Sequence, residues 1–260
     1  MRMRLLARLT RIRAYLLTLF LIVALIFLIS PQSLFSFRTA VVFFANLFMT
    51  AFVYAFNDVE DAADDYVSLE KRRRNPIANG ELSRTQGYLI SFLLLLIGFF
   101  LLSIISPSVF FFGLILALVG FFYSWKPVRL KSVPFVDLIS HVICLGALQF
   151  FIAYLAFRPL DLFVIPFLMM ILPPSLMVEI LFELRDFSVD RKSNITNTIQ
   201  RFGKLNVKNL LITSGVTTAV GFTIIILTIP SEYRIVILLG SIFAAIVIVS
   251  KVNRFLKMYC

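Results

Sequence analysis

The sequence predicts an all-α, polytopic transmembrane bundle around a lipid-accessible central cavity, on three observations. Sixty per cent of its 260 residues are hydrophobic, where a soluble chain holds roughly 45–50%. The mean hydropathy is +0.95. The apolar residues fall in eight runs, and lysine and arginine are confined almost wholly to alternate connections between them. A backbone in hydrocarbon must satisfy its own polar groups, so the runs read as helices.

A helix needs about 20 apolar residues to cross the hydrocarbon, within a range of roughly 17–25. Such runs occupy 14–30, 38–56, 87–105, 108–125, 134–157, 160–183, 207–229 and 232–250. The first follows MRMRLLARLTRIR and resembles a signal peptide, but no small-residue cleavage site comes after it, so it is expected to be retained. Pro107, Pro159 and Pro230 stand in short connections and end one helix before the next. No fixed-period repeat is evident, and residues 1–260 read as one domain.

Charge gives the topology. Of 25 Lys and Arg residues, 22 lie at the two termini, in 57–86, in 126–133 and around 184–208; the alternate connections hold Arg38, Arg158 and Arg234. Cytoplasmic connections carry the positive excess, so both termini and the 57–86 and 184–206 loops are expected on the cytoplasmic side of a cell membrane. The net charge of +11 thus reports topology, not nucleic-acid binding. Cys144 and Cys260 are the only cysteines and His141 the only histidine. That excludes a disulfide framework and a zinc site.

Two acidic clusters break the apolar pattern. The first, FNDVEDAADD at 56–65, follows the second run. At 100° per residue Asn57, Asp58, Asp61 and Asp65 fall at roughly 0°, 100°, 40° and 80°. They share one face of a helix prolonged past the membrane, with Asp64 at its edge and Glu60 off it, expected in solvent. The second, FELRDFSVDRKSN, holds Glu183, Asp186 and Asp190, at roughly 0°, 300° and 340°, again one face. Carboxylates so close need a cation or raise each other's pKa. With only oxygen donors in both clusters, Mg²⁺ is the fitting ion, and it commonly bridges carboxylates to substrate phosphates. Nearby cations at 71–74, Lys126, Arg129, Lys131, Arg185, Arg191 and Lys192 suit a polyanion such as diphosphate. Asp137 reads as a cap of the fifth run and His141 as a satisfied interior residue. Glu179 lies a turn inside the sixth run, and an intramembrane carboxylate is a functional candidate by default.

On these residues the sequence resembles the UbiA superfamily of intramembrane prenyltransferases, over about residues 40–205. Asn57-Asp58-x-x-Asp61-x-x-x-Asp65 is similar to its first aspartate-rich motif. NPIANGELS at 75–83 is similar to its Arg-Pro-Ile-x-x-Gly-x-x-Ser segment, with Asn75 in the place of Arg and Arg73 and Arg74 beside it. YSWKPVRLK at 123–131 resembles its Tyr-Ser…Arg-Leu-Lys loop. Arg185-Asp186-x-x-x-Asp190, trailed by Thr196 and Gly203, resembles the second motif, with Glu183 where Asp is common.

The resemblance implies a nine-helix bundle, one more than the eight runs counted. It implies an isoprenyl diphosphate donor, a lipophilic, aromatic or polar-lipid acceptor, and Mg²⁺ as cofactor. It assigns one ion to Asn57, Asp58, Asp61 and Asp65 and another to Asp186, Asp190 and Glu183. Asp58, Asp61, Asp186 and Asp190 would be the catalytic carboxylates. Arg74, Tyr123, Lys126, Arg129, Lys131 and Lys192, with Asn57, would contact diphosphate. The alternative is a cation-coupled transporter using the carboxylates as an ion path. Transporters place charge near the midplane on paired broken helices, whereas these charges cluster at one membrane face.

Overall fold

A computed structural model describes residues 2–192, 196–202 and 207–228, with Arg234 and Leu238. The described residues are helical, without strands. Helix α1 (Arg2–Leu9) is short and turns into α2 (Ile12–Ile29) through Arg11, whose φ of 48° is left-handed. A single 3₁₀ turn at Pro31 leads to α3 (Phe37–Asp65), begun by Ser36, whose hydroxyl accepts from the Thr39 N–H. Such a cap satisfies one of the free donors of the first turn.

At 1.5 Å per residue, the 29 residues of α3 run roughly 44 Å, well beyond the ~30 Å of hydrocarbon. The excess turns carry the first acidic cluster. α3 is also the most buried span, with two thirds of its apolar window inside the bundle. It packs on α5 (Arg84–Ile105), α6 (Pro107–Ser124) and α2. Ser83 and Gln86 close a capping box on α5, and Ser106 caps α6 with Pro107 at its first position, where the missing N–H costs nothing. Leu89, Phe92, Leu93, Leu96, Phe100 and Ile104 of α5 are exposed at helical spacing, a stripe suited to lipid.

The fifth span is one rod of mixed pitch: α7 (Val136–His141), a π-helical stretch Val142–Leu148, and α8 (Gln149–Leu155). The sixth is α9 (Val164–Lys192), with Pro173 and Pro174 in its interior. Gly146 of the π stretch sits against Ser175; a Cβ there would lie 3.0 Å from the Ser175 hydroxyl. The backbone irregularities of α9 and of the fifth span therefore meet. Short α4 (Leu69–Arg74) and α10 (Thr198–Phe202) lie at the charged end, and α11 (Val207–Thr228) packs along α9.

Among the described residues, six helices are long and apolar enough to span, and Thr213–Thr228 is a shorter apolar stretch within α11. Seven of the eight expected runs thus match helices, the second extending nine residues past its expected end. The eighth, 232–250, lies outside the described residues.

Candidate active site

Between the charged ends of α2, α3, α6, α7 and α9 lies a cavity of about 870 Å³. Its wall is charged towards α1 and α4 and apolar deeper in, at Val53, Tyr54, Cys144 and Leu145. Asn57, Asp61 and Asp65 line it, together with Asp64. Steps of four residues advance a helix face by only about 40°, so the 57-61-65 stripe faces the space.

The structure does not bring Asp58 there. Its side chain is fully buried and bonded by the Arg11 guanidinium, while its carbonyl accepts from Asn75 Nδ2 at 2.7 Å. Position 58 marks the far edge of the predicted face, and the Arg11 turn packs over that edge. Arg11 is also 4.0 Å from Asp65. Burial alone would lower its pKa; the carboxylates of Asp58 and Asp65 overcome this and push it up.

Glu60 corrects the expectation of a solvated carboxylate. It is 4% exposed and accepts from the Tyr88 hydroxyl at 2.5 Å and the Lys126 backbone N–H at 3.2 Å. The side of α3 that faces away from the cavity is covered by α5 and the 125–135 loop. Lys126 accordingly binds Glu60 through its backbone, and its exposed side chain is not on the cavity wall.

Asp61 is paired with Lys131 and lies 3.2 Å from Arg129, which also binds Asp64 at 2.5 Å. Lys131 lines the cavity; Arg129 stands behind these carboxylates. Burial opposes the charge of Arg129, yet Asp61 and Asp64 hold its pKa above the ordinary arginine value. Asn75, in the place of the family's arginine, is fully buried. Its amide binds Asp65 Oδ2 at 2.9 Å and caps the N–H groups of Ile77 and Ala78. It fastens the 75–83 loop to α3, while Arg74 supplies the guanidinium on the cavity wall. Burial, and then repulsion from Arg11 and Arg185, lower the pKa of Arg74, and its Nε is buried without a partner. An anion placed there relieves both.

From α9, Glu183 and Asp186 line the cavity. Asp186 bonds Arg185 at 2.8 and 3.1 Å and lies 3.5 Å from Lys71 of α4, so α4 ties the two clusters together. Glu183 Oε2 accepts from the Ile199 N–H at 3.0 Å. The side chains of Asp190 and Lys192 lie outside the described residues. Asp137 is not a simple helix cap: it accepts from both the N–H and the hydroxyl of Thr198, clasping α10 to α7.

Among the described residues no three His, Cys, Asp or Glu side chains form a ready metal cluster, because lysine or arginine holds most of these carboxylates. The donor set still fits a hard cation. Every candidate ligand is an oxygen, two motifs face one cavity, and Glu183 Oε1 is buried in its wall with no hydrogen-bond partner.

Two features escaped sequence reasoning. Arg4, Ala7, Arg8 and Arg11 line the cavity; the first three share one face of α1, and Arg11 follows in the left-handed turn beyond it. Tyr123, predicted to contact diphosphate, lines the cavity but donates its hydroxyl to Glu179 at 2.7 Å; His141 Nδ1 lies 2.7 Å from the other Glu179 oxygen.

The family model of the UbiA prenyltransferase family matches residues 16–259. No curated protein matches the chain by sequence. Among solved structures, a UbiA homolog from Archaeoglobus fulgidus bound to GPP and Mg²⁺ superposes with TM-score 0.75 at 20% identity, covering 95% of this chain and 87% of that one. The same homolog bound to DMAPP and Mg²⁺ gives 0.71 at 21%, over 93% and 84%. A digeranylgeranylglyceryl phosphate synthase gives 0.65 at 18%, over 99% and 94%. These likenesses establish a shared fold.

Proposed function

The chain belongs to the UbiA prenyltransferase family, and from that premise we propose that it transfers an isoprenyl group from a Mg²⁺-held diphosphate to a lipophilic acceptor. The observation that carries the reading is the meeting of both acidic clusters and a ring of cations at the charged end of one cavity whose deeper wall is apolar. The Archaeoglobus homolog binds GPP and DMAPP with Mg²⁺, ligands that match both ends of such a cavity.

In this reading Asn57, Asp61 and Asp65 hold one ion, and Asp186 and Glu183, joined by Asp190, hold the other. Asp58 acts from behind, keeping Arg11 in place. When bound, Mg²⁺ supplies Lewis-acid neutralisation of charge on the departing diphosphate. Arg74, Lys71 and Lys131 face the cavity and stabilise the same charge electrostatically. Lys131, paired with Asp61 in this structure, exchanges that partner for diphosphate oxygen. Tyr54 and Phe182 line the cavity, and an aromatic face turned to the allylic cation is worth ~0.5–2 kcal/mol. The apolar depth excludes water and houses the tail.

The whole chain acts as one domain, and the charged end of the bundle faces the cytoplasm, as the distribution of Lys and Arg supports. The deciding experiment incubates purified protein with labelled geranylgeranyl diphosphate, Mg²⁺ and lipid extract. Labelled product that disappears with EDTA and with Asp61→Ala is the expected result. Product formation indifferent to both sinks the reading, and ion flux in liposomes without donor turnover would instead mark a transporter.

A further inference from the structure

Three side chains in the cavity wall are bonded to one another. Tyr123 near the end of α6, His141 at the end of α7 and Glu179 in α9 form one hydrogen-bonded chain, with Glu179 at its centre and both bonds 2.7 Å long. Glu179 is 5% exposed and His141 9%, yet all three line the cavity. A carboxylate within a spanning helix is costly, and it is a functional candidate by default. Both of its oxygens are oriented by donors from two other helices, as a group with an exacting position requires. The surrounding backbone is irregular in a matching way. The π stretch starts directly after His141, and Pro173 and Pro174 precede Glu179 on α9; π segments recur at functional sites.

Position supplies the role. Glu179, Glu183 and Asp186 are spaced on one face of α9, so Glu179 lies one turn deeper than the proposed metal ligands. A diphosphate held at the motifs points its first prenyl carbon inward, to the depth of Glu179. That carbon is where the acceptor forms its bond and sheds a proton, and neither metal nor cationic side chains can take that proton. We propose that Glu179 is the base that accepts the proton of the acceptor nucleophile, with Tyr123 and His141 as its positioning residues. The inference rests on the prenyltransferase reading. In the step, the acceptor's electron pair forms a bond to the first prenyl carbon. The carbon–oxygen bond to diphosphate breaks, its electron pair leaving on diphosphate. The acceptor's proton passes to the Glu179 carboxylate.

The test separates donor ionisation from transfer. Full-length protein and its Glu179→Gln, Glu179→Asp, Tyr123→Phe and His141→Asn variants receive Mg²⁺ and labelled geranylgeranyl diphosphate. Ionisation is read as bridge-to-nonbridge ¹⁸O scrambling in the donor alone. Transfer is read with lipid extract of the producing cells as the acceptor source. Glu179→Gln keeps the side chain's shape but turns one acceptor oxygen into an NH2 donor, and it is expected to lose about 10²–10³-fold in transfer, with donor KM and scrambling at wild-type level. Glu179→Asp restores part of the rate, and the other two variants lower kcat for transfer without raising donor KM. Glu179→Gln transferring at the wild-type rate overturns the inference, as does parallel loss of scrambling and transfer, which would make the group a prop for the donor site. Wild-type protein that neither scrambles nor transfers overturns the prenyltransferase reading and the inference together.

Discussion

The Arg11 guanidinium is bonded to the Asp58 carboxylate inside the protein, across 47 positions of sequence. Asp58 is sealed from solvent, and its second oxygen has no partner. A left-handed turn at Arg11 aims the N-terminal segment into the aspartate motif, so the start of the chain completes the site's electrostatics.

Arg11→Ala therefore leaves a buried carboxylate unpaired. Removing one partner of such a pair typically costs about 3–5 kcal/mol. The expected outcome is a marked fall in melting temperature in detergent, with Arg11→Lys in between. An unchanged melting temperature would show that the pair carries no structural weight.

Glu60 and Asp61 are neighbours with separate duties. Glu60→Ala strips the acceptor from the Tyr88 hydroxyl and from the Lys126 N–H, a loss of roughly 1–3 kcal/mol. Its Mg²⁺ dependence is expected to stay that of the wild type. Asp61→Ala is expected to abolish transfer, with some loss of stability from the unpaired Lys131 and Arg129. Titrating activity with Mg²⁺ alongside thermal unfolding distinguishes the two, and identical profiles would contradict the division.

Chelation is expected to stop donor turnover, and added Mg²⁺ to restore it. Lys71→Ala removes the cation 3.5 Å from Asp186 and one positive charge from the cavity. A raised donor KM with kcat less affected is the expected pattern; a KM that does not move excludes Lys71 from the diphosphate path.

On the connection between α8 and α9, Asp161 accepts from the Arg158 guanidinium and the Tyr154 hydroxyl, which hold its pKa below the ordinary 3.8. A depressed carboxylate pKa gives stability that is full above the unfolded value and fades as pH falls through the folded one. Asp161→Asn should thus melt below wild type at pH 6, and the gap should narrow as the pH drops below 3.8. A pH-independent gap would assign the effect to shape alone.

Gly221 of α11 meets α9 so closely that an added Cβ would stand 2.6 Å from the Pro166 carbonyl oxygen and 3.0 Å from the Met170 nitrogen. Backbone cannot rotate aside, so Gly221→Ala should prise the helices apart and lower the melting temperature. Gly215→Ala, with open space around it, is the control and should not.

Much of this was legible in the sequence because it depends on local period and on solvent. Hydrocarbon dictates helices wherever apolar runs are long enough, and the sidedness of arginine and lysine follows from the membrane. The one-faced spacing of Asn57, Asp61 and Asp65, and of Glu183 and Asp186, follows from 3.6 residues per turn. A helical wheel, however, knows only its own helix. It put Asp58 with its motif and Glu60 in water, because nothing in it records that the Arg11 turn covers one edge and that Tyr88 and the 125–135 loop cover the other.

The sequence by itself determined an intramembrane helical bundle, its family, and two carboxylate motifs suited to a metal-held diphosphate. The tertiary structure decided which carboxylates face the cavity, which cation holds each, and that Tyr123 and His141 converge on Glu179. Composition and period act along the chain and can be read there. Pairings such as Arg11 with Asp58 or His141 with Glu179 join residues far apart in sequence, and only the packing of whole helices brings those charges within reach.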